Sequence, residues 1–245
     1  MNLVGDTAAW LADPAHWTGP GSIPQRLAEH VGLSAIALLV AVVIALPAGL
    51  AIGHTRRGSA LAANLANIGR AIPSLAVIGI VLPFTAAIDP QLGFKVYPTL
   101  VAMVILAIPP ILVNAEAGIA GIDTELVESA RGMGMREGQV LRRVEIPIAL
   151  PVILTGVRSG ATQIVATMTL GAIFAGGGLG RFLVEGIAQR DGDAMAWSGV
   201  VLVAALALAT EGTFALAQRA TTSPGLRHSW GPVTRPSSSA GSLST

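Results

Sequence analysis

The chain has 245 residues, 52% of them apolar and only 12% charged, with a mean hydropathy of +0.67 and a formal net charge of +1. A soluble domain carries about 25% charged residues, so this composition leaves too little polar surface for a water-soluble fold and indicates an integral membrane protein. The small net charge excludes nucleic-acid binding, which needs a basic excess against phosphates, and the lack of cysteine excludes disulfides, thiolate metal sites and a cysteine nucleophile.

Residues 1–29 contain Asp6, Asp13, Pro14, Pro20 and Glu29, and no basic stretch leads into an apolar core as in a cleavable signal. They are expected to form an extracytoplasmic segment ahead of a membrane domain over 30–218. The first apolar run, Val31 to Gly53, has no charge and contains Pro47. At about 1.5 Å rise per residue it can cross a hydrocarbon core of about 30 Å. A second run, Leu61 to Phe84, is interrupted by Arg70 and Pro73, and a third, Val96 to Ala115, carries Pro109-Pro110 near its end. After a charged insert, a fourth run covers Ala149 to Phe174, contains Arg158 and ends in "GGGLG", Gly176 to Gly180. The fifth extends from Trp197 to Leu216 and contains Glu211. The stretch from Ile164 to Ile187 leaves room for a re-entrant or sixth span. From Arg219 to Thr245 Ser, Thr, Pro and Gly predominate; such a segment cannot bury enough surface to offset its ordering entropy, and a disordered cytoplasmic tail is expected. The expected fold is all-α, a polytopic membrane bundle of about five transmembrane helices.

Arginine placement orients this bundle. The loop with Arg56 and Arg57, the insert with Arg131, Arg136, Arg142 and Arg143, and the tail with Arg219, Arg227 and Arg235 alternate so as to share one side. By the positive-inside rule that side is cytoplasmic, which puts the N-terminus outside. The histidines, His16, His30, His54 and His228, are scattered without metal-ligand spacing and read as capping or interfacial polar residues.

The insert "ELVESARGMGMREGQVLRRVEIPIALP", Glu125 to Pro151, is the most charged stretch of the chain. Asp123 or Thr124 can cap a first short helix, with Glu125 and Glu128 early in it, where the helix dipole favours negative charge. Gly132 and Gly134 permit a hinge. A second helix follows and is expected to end near Ile146, because Pro147 lacks an N–H and disfavours helix at the residue before it. This knuckle is expected to expose Leu126, Val127, Met133, Met135, Val140 and Leu141 beside charges. The pattern suits docking into a groove of another protein, or equally a loop lying on the bilayer surface.

"ESARGMG", nine residues and "VEIP" resemble the EAA loop of permease subunits of bacterial ABC importers, a motif of the form E-A-A, three residues, G, nine residues, I-x-L-P. Glu128, Ser129 and Ala130 hold the first three places, Gly134 the glycine, and Val144, Ile146 and Pro147 the end; Ser129 for alanine and Ile146 for leucine are mild departures. The resemblance implies a coupling loop over about 116–148 that inserts into a cleft of an ATPase subunit. Glu128 would bond near that interface, Ala130 allow close approach, Gly134 bend the chain, and Pro147 end the second helix. Arg142 and Arg143 could meet acidic residues of the ATPase or lipid headgroups. "AIPSLAVIGIVLP", "GMGMREGQVLRRVEIPIALPVILTGVRS" and "GAIFAGGGLGRFLVEGI" are similar to the osmoprotectant branch, which imports glycine betaine, choline, carnitine or proline-type solutes, and less closely to importers of methionine and other amino acids. Ile72, Pro73 and Ser74 become candidates for the translocation path; a kink serving packing alone is the other reading of that segment.

No P-loop is present: the one lysine, Lys95, follows no glycine loop, and "GGGLG" is not followed by a lysine. The resemblance therefore implies a transport subunit without enzymatic activity, cofactor or metal, in a bacterial plasma membrane. It implies separate ATPase subunits, an extracytoplasmic solute-binding protein, a second permease copy or paralogue, and contact with membrane lipid. With 4% aromatic residues the chain has few faces for a cation–π cage, so high-affinity selection is expected in the solute-binding protein. Arg70, Glu116, Arg158 and Glu211 support the rival reading of an ion-coupled secondary transporter, which uses ionisable residues within the membrane. An enzyme in the membrane finds no nucleophile–base pair.

Overall fold

The computed structural model describes residues 3–174 and 176–221, without the side chains of 61, 65, 66, 68 and 70. The tail from 222 onward, with Arg227, His228 and Arg235, and the side chain of Arg70 lie outside the described residues. The described part is built of helices joined by short turns: α1 Leu3–Ala12, α2 Ile23–Thr55, α3 Ser59–Ala71, α4 Ser74–Ile88, α5 Leu92–Lys95, α6 Tyr97–Ala120, α7 Thr124–Gly132, α8 Glu137–Val140, α9 Ile146–Gly171, α10 Gly180–Ala188 and α11 Asp193–Thr221. Among these, α2, α6 and α11 are long and apolar enough to cross a membrane, and α4 is a shorter apolar helix. α9, with 26 residues, is about 39 Å long at ~1.5 Å per residue, also enough to cross.

α6 lies at the centre and packs most extensively on α9 and α2, which also touch each other. α2 meets α6 through a stripe of small residues every fourth position, Ala37, Ala41, Ala45, Gly49 and Gly53, all buried. A side chain at Gly49 would place its Cβ 2.6 Å from the Leu112 carbonyl oxygen. Two backbones can approach this closely in a bilayer only where small residues face each other, and dispersion then holds helices that gain no hydrophobic drive from leaving lipid. Met103, Ala107, Ile111 and Ile164 complete this core.

The second apolar run is two helices rather than one. α3 stops at Ala71 and α4 starts at Ser74, because Pro73 cannot donate a helical bond and drives Ile72 out of helical angles. The third and fourth runs extend beyond their apolar cores, to Ala120 and back to Ile146. Helix α2 starts at Ile23, eight residues before its uncharged run, with Pro24 in its first turn. No sixth span occurs between 164 and 174 or 176 and 187: α9 runs to Gly171, and α10, with nine residues, is about 13 Å long at ~1.5 Å per residue, too short for a core of about 30 Å.

α10 packs with α1 and the start of α11 as a cap on one end of the bundle, where Trp10 meets Phe182 edge-on at 5.4 Å and stacks on His16 at 3.8 Å. The glycine cluster is a turn pinned to α2. Glu29 Oε2 accepts from the Gly178 amide at 3.0 Å, and His30 Nδ1 accepts from the Leu179 amide at 3.3 Å. His30 Nε2 therefore carries the proton and donates to the Val165 carbonyl at 3.2 Å. At the opposite end Arg56 donates from Nη2 to the Ile122 carbonyl at 3.1 Å, and Gln218 Nε2 donates to the Pro151 carbonyl at 2.9 Å. The Arg56 loop, the charged insert and the end of α11 thus share one end, as the arginine alternation requires.

Candidate functional site

The insert begins with the short first helix and the bend expected, and each turn of it has a local cause. Asp123 caps α7, its carboxylate accepting from the Glu125 amide at 2.9 Å. α7 ends in a left-handed turn: Gly134, at φ +85°, donates to the Arg131 carbonyl at 2.9 Å, and Met135 donates to the Ala130 carbonyl at 3.3 Å. This pair of bonds is the Schellman arrangement, which selects glycine at the turn. Gln139 Oε1 accepts from the Arg136 amide at 2.9 Å and starts α8.

Pro147 does not end the second helix. Residues Leu141–Glu145 form a π-helical turn in which the Ile146 amide reaches back to the Leu141 carbonyl, and α9 follows without a break with Pro147 in its first turn. Widening the helix by one residue suits a proline, which has no N–H to return to the usual carbonyl and would otherwise collide with it. The chain is therefore helical from Glu137 to Gly171, and the second half of the knuckle is the extended end of a span.

The predicted loop residues divide by direction. Glu128, Ser129, Gly134, Arg142, Arg143 and Pro147 are exposed, Val144 and Ile146 are half-buried, and Ala130 is buried. The close approach at Ala130 is within the chain, against Val127, Val140 and Met135. Val127 and Val140, expected outside, are buried, and Met135 and Leu141 are half-buried; Leu126 and Met133 remain exposed at 46% and 78%. The inward residues join Ala115, Ile119, Ala149 and Ile153 in one cluster, so the knuckle shares its core with the ends of α6 and α9. Glu128, Arg142 and Arg143 form no ion pair with another described residue.

A charged cluster that sequence reasoning missed ties the knuckle to α2. His54, at the last turn of α2, has Nδ1 2.6 Å from Glu145 Oε2 and Nε2 3.2 Å from Glu137 Oε2. Each ring nitrogen thus faces a carboxylate oxygen within hydrogen-bond distance. Glu145 is buried, at 4% exposure. Arg131 completes the set with two bonds to Glu137, 2.9 and 3.0 Å, bridging α7 to α8 across the bend. No short spacing announces this cluster, because His54 and Glu145 are 91 positions apart.

The Arg131 hydrogen bonds hold the Glu137 carboxyl below its ordinary pKa of 4.5. A carboxyl that binds its proton more weakly when folded contributes stability above its unfolded value and loses it as the pH falls through the lower, folded value. The hydrogen-exchange protection of amides 137–140 should therefore fall as the pH is lowered below about 4.5. The change should be small, since both partners are exposed, and Glu137→Gln should remove this acid-side dependence.

Further along the bundle, a cavity of about 570 Å³ contains all three predicted path residues, Ile72, Pro73 and Ser74, facing Asn114, Ser159 and Gln163. Gln163 Nε2 lies 3.4 Å from Ser74 Oγ and 3.4 Å from Thr167 Oγ1. Pro109 and Pro110 also line it; lacking N–H groups, they leave the carbonyls of Ile105 and Leu106 without their helical donors. A broken helix, free carbonyls and amide side chains together make a polar space within an apolar bundle, tolerated at membrane depth where backbone lines a cavity. Beside it, Arg158 of α9 pairs with Glu211 of α11.

The described residues thus form a helical bundle with a polar cavity among its helices and a charged knuckle at one end. The sequence matches the family described as binding-protein-dependent transport system inner membrane component over residues 31–227, and the chain belongs to that family. It is 31% identical to the glycine betaine/carnitine/choline transport system permease protein OpuCB of Bacillus subtilis over 86% of this chain and 93% of that one. It is 30% identical to the osmoprotectant import permease protein OsmW of Salmonella typhimurium over 91% of this chain and 100% of that one. Among solved structures it is similar to a chain of the MetNI methionine ABC transporter in inward-facing conformations, with a TM-score of 0.72 and 25% identity over 86% of this chain and 100% of that chain.

Proposed function

We propose that the chain forms the translocation path of an ATP-driven importer of osmoprotectants, small quaternary-ammonium or proline-type solutes, in a bacterial plasma membrane. Relatives at 30–31% identity over most of the chain are named for glycine betaine, carnitine, choline or osmoprotectants. In this reading the knuckle end faces the cytoplasm and docks on ATPase subunits. A solute-binding protein delivers at the other end, and a second permease copy or paralogue completes the path.

The observation that carries the coupling reading is the shared core. Ala130, Val127 and Val140 pack on Ala115, Ala149 and Ile153, so a push on the knuckle moves the ends of α6 and α9 as one body. Tightly packed cores are poorly compressible and transmit displacement. The outward residues Glu128, Ser129, Arg142 and Arg143 then meet the ATPase, and Val144, Ile146 and Pro147 carry its displacement into α9. Ile72, Pro73 and Ser74 line the solute path.

The test is uptake by the reconstituted assembly, comparing glycine betaine, choline, proline and methionine. Transport of the first three in preference to methionine is expected; methionine alone would assign the chain to amino-acid import. Orientation has its own check. Cysteines at Asp6 and Gly138 should label from outside and inside respectively, and labelling of Gly138 from outside would invert the arrangement.

A further inference from the structure

Arg158 and Glu211 lie roughly 13 and 8 Å inside the knuckle-side ends of their apolar runs, Ala149 and Leu216, at about 1.5 Å per residue, within a core about 30 Å thick. Ionised residues at that depth are costly in lipid and are found facing a bundle interior or a water-filled cavity. Here the two side chains are 30% and 41% exposed, and they line an open groove with Thr155, Ser159, Thr162 and Gln163. Ser159 and Gln163 also line the cavity beneath Pro73, so the two spaces meet along one face of α9. The pair is open to further bonding. Among the described residues the Arg158 guanidinium donates only from Nη2, leaving the rest of its five donors without a described partner. The second Glu211 oxygen has only the Thr162 hydroxyl, at 3.3 Å.

We infer that Arg158 and Glu211 form a transient binding site for zwitterionic solutes, small molecules that carry an ammonium and a carboxylate together. The solute carboxylate takes the open donors of Arg158, in the planar geometry that guanidinium groups favour, and its cationic head lies against Glu211. Because pair and solute are each neutral overall, no net charge enters the low-dielectric region during the exchange. The protein pair reforms as the solute leaves, which keeps binding weak enough for release, a requirement of any path that must conduct. The inference rests on the importer reading and adds to it a place and a charge pattern for the solute.

The experiment uses the complete assembly in proteoliposomes at saturating loaded solute-binding protein, so that rates report transfer rather than capture. Glycine betaine, a zwitterion, is compared with choline, a cation without a carboxylate, and receptor-stimulated ATP hydrolysis is followed in parallel. Arg158→Gln should lower maximal glycine betaine uptake by about tenfold or more, the size expected for losing a hydrogen bond between charged groups, while choline uptake stays within about twofold on the same scale. Glu211→Gln should lower both. The double variant Arg158→Gln/Glu211→Gln keeps an amide–amide bond between the helices and leaves no unpaired charge, and it should remain impaired for both solutes. If Arg158→Gln instead slows both solutes equally and the double variant recovers both, the pair is a helix tie and no binding site. A wild-type assembly that takes up neither solute would refute the importer reading before any variant is made, and this inference with it.

Discussion

Gly134→Val should yield a protein that inserts and accumulates normally but fails to couple ATP hydrolysis to transport. At φ +85° a β-branched residue is strained by about 1–3 kcal/mol. No atom lies within 4 Å of the position a Cβ would take, so the cost comes from the backbone alone and cannot be relieved by repacking. Relaxation must therefore open the turn, breaking the bonds from Gly134 to Arg131 and from Met135 to Ala130, and with them the angle between α7 and α8. Glu128→Lys should reach the same defect by another route. Glu128 is exposed and has no ion pair with a described residue, so the fold should be unaffected while a charge at the proposed contact is reversed. Ser237→Val, in the tail, should change nothing. ATPase association in detergent and receptor-stimulated hydrolysis are the measurements. Wild-type values for both Gly134→Val and Glu128→Lys would remove the knuckle from the coupling mechanism.

The second large effect is expected at the junction of α2 and the knuckle. His54→Ala leaves Glu145 at 4% exposure without its partner at 2.6 Å. Breaking a buried pair by removing one member costs about 3–5 kcal/mol, because an uncompensated charge stays behind. Glu145→Gln keeps the shape and a neutral bond to the ring, and should cost only about 1 kcal/mol. The double variant His54→Leu/Glu145→Leu removes both charges and should be less destabilising than His54→Ala alone. Protease cleavage at Arg142 and Arg143 in lipid nanodiscs reads the local stability directly, as it follows the opened fraction of the knuckle. Cleavage of His54→Ala at the wild-type rate would show that the contact contributes nothing to holding the knuckle on α2.

Much of this architecture was legible from local pattern. Long apolar runs marked α2, α6 and α11, since hydrocarbon thickness sets a length that a single segment must meet by itself. Pro73 marked a break, although the break proved complete enough to divide the run into α3 and α4. Gly134 marked the bend, because the angle it adopts is a property of one residue. Ile72, Pro73 and Ser74, three neighbours at the Pro73 break, line one polar cavity.

What only the tertiary structure decided are the features that depend on how helices are rotated against one another. Pro147 reads locally as a stop, yet a π-helical turn over Leu141–Glu145 carries the helix past it, because the wider turn does not need the bond that a proline cannot make. Val127 and Val140 read as an exposed face and turned out to be core, since the knuckle folds back on the ends of the spans. His54 meets Glu145 and Arg158 meets Glu211 across 91 and 53 positions of sequence. A run of apolar residues shows that a helix is wanted and how long it must be. Which of its polar side chains face each other depends on the azimuth of each helix, and that is chosen by close packing at positions such as Gly49 against Leu112 rather than by the polar residues themselves.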